Sequence, residues 1–71
     1  MRYIYYIQGL CYEKLNRPAK ALKAFEKAEQ RDWLEPDINQ AKVRCLLALN
    51  CPAQAEAEQA KAGRKQRYLG Q

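Results

Sequence analysis

The stretch Leu15-Asn16-Arg17-Pro18-Ala19-Lys20-Ala21 returns 34 residues later as Leu49-Asn50-Cys51-Pro52-Ala53-Gln54-Ala55. Working outward from it, the same offset pairs Ile4 with Ile38, Cys11 with Cys45, Lys27 with Lys61 and Ala28 with Ala62. Residues 2–35 thus overlay 36–69 with nine identities in 34 positions. A fixed period of this length marks a supersecondary unit used twice.

Each unit reads as two helices. Over Tyr3–Leu15, apolar residues recur at three- and four-residue steps as Ile4, Ile7, Cys11 and Leu15. Asn16 follows, and Asn tolerates the left-handed backbone that ends a helix. Pro18 suits the first position of the next helix, where its missing N–H costs nothing. Ala19–Arg31 is then made of strong helix formers, with Ala21, Leu22, Phe25 and Ala28 on one face. Residues 32–35 form a short connection, and Pro36 again stands at a helix start. The second pair is expected over about 36–49 and 52–67. Nothing alternates with period two, so no strand is predicted. The expected fold is all-α: an α-solenoid of two helix–turn–helix repeats, four antiparallel helices in one domain spanning 1–71.

Composition bounds the function. Seventy-one residues (8.3 kDa) make one small domain. Eleven residues are Ala, and the large aliphatics (Ile, Leu, Val, Met) number thirteen, enough for a thin two-layer core. There is no Ser, Thr or His. That removes hydroxyl nucleophiles other than Tyr, the commonest general base and the commonest metal ligand. It also removes any P-loop, whose Lys needs a following Ser or Thr. The three Gly are scattered. An enzyme is not expected, nor is a cofactor or a metal. Cys11, Cys45 and Cys51 lack zinc spacing; they are expected to be reduced, buried small hydrophobes in a reducing compartment, the cytoplasm. Cys51, just before a helix start, is the one candidate for a reactive thiol. No run of about 20 apolar residues exists, so no membrane span is expected. The N-terminus resembles a signal peptide only until Gln8, Glu13 and Lys14 interrupt it.

Period and helix pair together resemble the tetratricopeptide repeat. The residues carrying the resemblance are Tyr5, Gly9 and Tyr12 on the first helix and Ala21, Phe25 and Ala28 on the second, with YEKLN at 12–16 and AFEKA at 24–28. In the family's pattern the small Gly9 and Ala21 let the helices approach, and the rings fill the remaining space. Gln8 departs from the usual large aliphatic, and Trp33 stands where Pro is usual. The second unit departs further, with Val43, Leu46 and Gln59 at the small and aromatic positions; it reads as a degenerate, cap-like copy.

The resemblance implies a protein–protein interaction module: an adaptor, a scaffold or a co-chaperone-like helper. It implies a concave groove for a partner's peptide or helix, lined by Tyr3, Tyr6, Leu10 and Glu13 from the first unit and Asp37, Gln40, Arg44 and Leu47 from the second. Aromatic and Leu side chains beside a few charges suit an amphipathic or extended partner. The family's carboxylate clamp for acidic tails needs Lys and Asn where Tyr6 and Leu10 stand, so that ligand is not expected.

Two further surfaces follow from the repeat. Ile38 and Cys45 should pack on the helix before them. Their mates Ile4 and Cys11, with Ile7, face the same way with no helix before them. An uncovered apolar stripe on helix 3–15 is therefore predicted. It marks the C-terminal piece of a longer array or a self-associating chain, a homo-oligomer; the plainer alternative is a stripe covered by the N-terminal tail or simply left exposed. The net charge is +5, and Lys20, Lys23, Lys27 and Arg31 form a basic stripe at helical spacing. A solvated convex face explains it most simply. The alternative function is a basic helical-repeat module for nucleic acid or an acidic protein; nucleic acid is the weaker reading, because Glu26 and Glu29 interleave.

Overall fold

In the computed structural model, residues 3–32 and 34–70 are described. The first unit's expected start at residue 2 and the role expected of Trp33 lie outside them. The described residues form four helices and no strand: α1 (Ile4–Lys14), α2 (Pro18–Arg31), α3 (Pro36–Ala48) and α4 (Pro52–Leu69). The expected boundaries hold to within a residue or two, because the stop and start signals act as anticipated.

The clearest case is the turn motif. Asn16 and Asn50 have φ of 59° and 61°, the left-handed region. The N–H of Asn16 donates to Glu13 O, and that of Arg17 reaches back to Tyr12 O at 2.9 Å. Asn50 and Cys51 repeat both bonds onto Leu47 O and Leu46 O. These 5→2 and 6→1 bonds are the Schellman arrangement, here with Asn in place of the usual Gly. Pro18, Pro36 and Pro52 each occupy the first turn of the following helix. The α3 start has a further cap, the Glu35 carboxylate accepting from the Asp37 N–H at 3.1 Å.

Each helix packs on its sequence neighbour, giving a slab of 36 × 32 × 16 Å. Within the first hairpin, Tyr5 meets Lys27 and Arg31 while Tyr12 meets Lys20, so α1 and α2 run antiparallel. Lys42 opposite Glu58 and Asn39 opposite Lys65 show the same for α3 and α4. The core is one cluster of Ala21, Phe25 and Ala28 from α2 with Ile38, Ala41 and Cys45 from α3. Tyr5, Tyr6, Leu10, Tyr12 and Leu22 pack around it. Gly9 is buried against the Phe25 ring, where no side chain would fit. The last helix is held differently, since Ala55 and Ala62 are its only buried residues.

One expectation needs correction. Of the three cysteines, all free thiols, only Cys45 is buried; Cys11 is exposed and Cys51 partly so. Cys45 alone lies between two packed helices, and burial pushes its thiol up to about 11. Cys51 sits at the α4 N-cap with its Sγ 3.6 Å from Leu49 O.

Candidate partner-binding surfaces

The groove residues fall on α1 and α3, and Glu13 with Arg44 ties these two helices together. Arg44 donates from Nη2 at 2.8 Å and from Nε at 3.0 Å to the two Glu13 oxygens, a bidentate pair. This bond is the main reason the Arg44 guanidinium is held above its ordinary pKa. Beside it, the Tyr6 ring tilts against Phe25 with centroids 5.7 Å apart. Burial, then the nearby Asp37 carboxylate, raises the Tyr6 phenol. Tyr6 and Leu10 are thus half-buried supports, less open than their groove positions imply. Tyr3 and Leu47 are the apolar groups most exposed among these eight, Leu47 at 57%. Gln40 and Arg44 line a cleft of about 410 Å³ that continues between α3 and α4 over Val43, Gln59 and Gly63.

The apolar stripe on α1 is open as the repeat predicts. Ile4 is 50% exposed and Ile7 48%, and Cys11 and Leu15 are exposed beside them. One period later, Ile38 is 3% exposed and Ala41 and Cys45 are buried. Gln8 and Tyr12 complete a shallow depression of about 330 Å³ with the stripe. These equivalent positions therefore have opposite burial, because α2 covers α3 and, among the described residues, no helix covers that side of α1.

The basic stripe on α2 does more than face water. Lys27 Nζ lies 5.7 Å from the centroid of the Tyr5 ring, and the Arg31 guanidinium 5.4 Å from it. Lys20 Nζ lies 6.0 Å over Tyr12. Three of the four cations are laid across α1 tyrosines, a cation–π and packing role within the first hairpin. Lys23 is exposed beside them.

A partly buried ionic cluster joins α2, α3 and α4, and sequence reading missed it. Asn39 is fully buried, and its Nδ2 donates to Glu29 Oε2 at 2.8 Å and Glu58 Oε2 at 2.7 Å. Lys42 Nζ meets Glu29 at 2.9 Å and Glu58 at 3.1 Å. Lys65 closes the cluster onto Glu29 at 2.8 Å and onto Asn39 Oδ1. Burial alone would raise the Glu29 carboxyl, but bonds from Lys65, Lys42 and Asn39 outweigh it and hold it at about 2. Glu58 is lowered in the same way, and Lys42 is raised by its two carboxylates against the effect of burial. One signal was readable. Lys42 falls on the stripe Ile38, Ala41, Lys42, Cys45 at steps of three, one and three, so the spacing puts a cation on the buried face.

The two hairpins solve one problem differently here. Tyr5, Lys27 and Arg31 stand one period before Asn39, Lys61 and Lys65. In the first hairpin a ring accepts cations on its face. In the second, the Asn39 amide and Glu58 accept them, with Glu29 of α2 as a further acceptor for Lys65.

Among the described residues, no group of three or more His, Cys, Asp or Glu side chains could hold a metal ion, and no helix is long and apolar enough to cross a membrane. Compared with protein-family models, curated proteins and solved structures, the chain matches none.

Proposed function

We propose that this chain is a protein-binding module, two stacked repeats of the tetratricopeptide kind that hold a partner's peptide or helix against α1 and α3. The observation that carries this reading is the bidentate Glu13–Arg44 pair bridging α1 and α3, with Tyr3 and Leu47 exposed and Tyr6 and Leu10 half-buried on the same two segments. Exposed aromatic and aliphatic groups beside a few charges are what an amphipathic or extended partner needs. The repeat reading is supported by the duplicated Schellman turns and by the buried Ala21 and Ala28, which recur as buried Ala55 and Ala62. As an adaptor or scaffold, the chain would act by bringing partners together and not by chemistry of its own.

The test is a display selection of random peptides against the folded chain, followed by affinity measurement on groove variants. Tyr3→Ala and Leu47→Glu should each weaken a selected peptide by about tenfold or more, the effect of losing one well-placed apolar contact. Peptides indifferent to both substitutions would overturn the groove assignment.

A further inference from the structure

The internal junction between the hairpins supplies a template for what covers the α1 stripe. In that junction α3 inserts Ile38, Ala41 and Cys45 against a seat made by the first hairpin, with Tyr6, Leu10, Phe25 and Ala28 in the apolar part. Glu29, on the edge of the seat, takes Asn39 and Lys42 of the inserted helix. Shifted by one period, the inserted face becomes Ile4, Ile7 and Cys11, the exposed stripe of α1. Shifted by one period in the opposite direction along the chain, the seat becomes Gln40, Arg44, Gln59, Ala62 and Gly63, which line the open 410 Å³ cleft between α3 and α4. One chain therefore carries both halves of its own junction, one at each end of the slab and both uncovered.

The substitutions between the internal junction and its shifted copy are matched across the two halves. Glu29 becomes Gly63 on the seat, while Lys42 becomes Gln8 on the inserted helix. The half-buried acid and its buried cation disappear together, so neither is left without a counter-charge. Asn39 becomes the larger Tyr5 opposite the position where Glu29 shrinks to Gly63. Ala41 becomes the larger Ile7 where Phe25 gives way to the flexible Gln59. Gly63 has open space around it, nothing lying within 4 Å of a Cβ placed there. The remaining charge on the seat, Arg44, is already neutralised by Glu13.

We infer that the chain self-associates head to tail, α1 of one copy seating in the α3–α4 cleft of the next. The contact is heterologous, with a different surface on each side, so it propagates instead of closing as a two-fold dimer. The seat is rimmed by the amides of Gln40, Gln59 and Gln66, so the contact is weak and concentration-dependent. The inference rests on the reading of the hairpins as copies of one stacking unit.

Sedimentation velocity on the full chain, from about 10 μM to about 1 mM, tests it. The average mass should rise with concentration without settling at a dimer. Gly63→Glu places an unpaired acid in the seat, and Ile7→Glu places one on the stripe. Each variant alone should remain a monomer, while their mixture should give a 1:1 heterodimer, since each retains the half that the other lacks. Gln59→Glu is a second seat-blocking variant should Gly63→Glu fail to show a helical spectrum. A wild-type chain that stays monomeric throughout overturns the inference. So does a Gly63→Glu variant that still dimerises while Ile7→Glu does not, the signature of an isologous α1–α1 pair. Neither variant alters Tyr3 or Leu47, so failure of self-association is distinguishable from failure of peptide binding in the groove.

Discussion

Gly9 lies so close to the ring of Phe25 that a methyl group in its place would sit inside the ring's van der Waals envelope. Gly63, the other glycine within a helix, has free space around it. The same substitution should therefore have opposite signs at the two sites. Gly9→Ala overpacks a buried contact and should cost about 1–3 kcal/mol. Gly63→Ala removes only the entropic cost of a helical glycine and should stabilise by about 0.5–1 kcal/mol. Thermal unfolding followed by circular dichroism reads both, at about 4–8 °C per kcal/mol for a domain of this size.

The cluster of Glu29, Asn39, Lys42, Glu58 and Lys65 makes stability depend on pH. Glu29 titrates at about 2 when folded, against an ordinary 4.5. Its contribution is whole above about 4.5 and is lost as pH falls through about 2, and Glu58, also lowered, acts in the same sense. Lys42 is raised above its ordinary 10.5, so its contribution is whole below that value and is lost as pH rises past it. Urea midpoints measured from pH 5 down to pH 2 should fall steadily, and Glu29→Gln should flatten that fall.

Lys42 is the cation shared by both carboxylates, with a side chain only 8% exposed. Lys42→Met takes one cation from Glu29 and Glu58, which keep Lys65, Lys61 and Asn39, and should destabilise by about 1–3 kcal/mol, the cost of a lost charged hydrogen-bond partner. Because α4 buries few apolar groups, its amide protons should lose hydrogen-exchange protection first in this variant.

Asn16 and Asn50 hold the same left-handed position in equivalent turns. Asn→Ala should destabilise by about 1–2 kcal/mol at either site, and Asn→Gly should cost little or nothing. Chemical denaturation of the four single variants measures this.

Lys20, Lys27 and Arg31 are committed to tyrosine faces, which argues against a free basic surface for nucleic acid. A fluorescence titration with generic single-stranded RNA should show no binding at about 0.15 M salt. Binding that persists there would favour the alternative reading.

How much of this was legible in the sequence depends on the range of the interaction concerned. Helix boundaries and both Asn turns were readable because Asn16, Pro18, Asn50 and Pro52 act on their immediate neighbours. The open α1 stripe was readable because the repeat supplies an internal control: Ile4 and Ile38 are one residue type in one setting, with and without a covering helix. The ionic cluster was not, because its members come from three helices. Glu29 and Lys65 stand 36 residues apart, and each looks like an ordinary surface charge at helical spacing. The tyrosine–cation contacts were hidden for a related reason. Spacing along α2 aligned the cations with one another but said nothing of the α1 rings beneath them.

The central claim is that α1 and α3 together present a partner-binding groove, and its most direct test is chemical-shift mapping. The ¹⁵N-labelled chain would be titrated with a peptide taken from the display selection. Shifts concentrated at Tyr3, Tyr6, Leu10, Gln40 and Leu47 are the expected result. Shifts confined to the α2 face around Lys20 and Lys23, or a selection that yields no peptide above background, would contradict it.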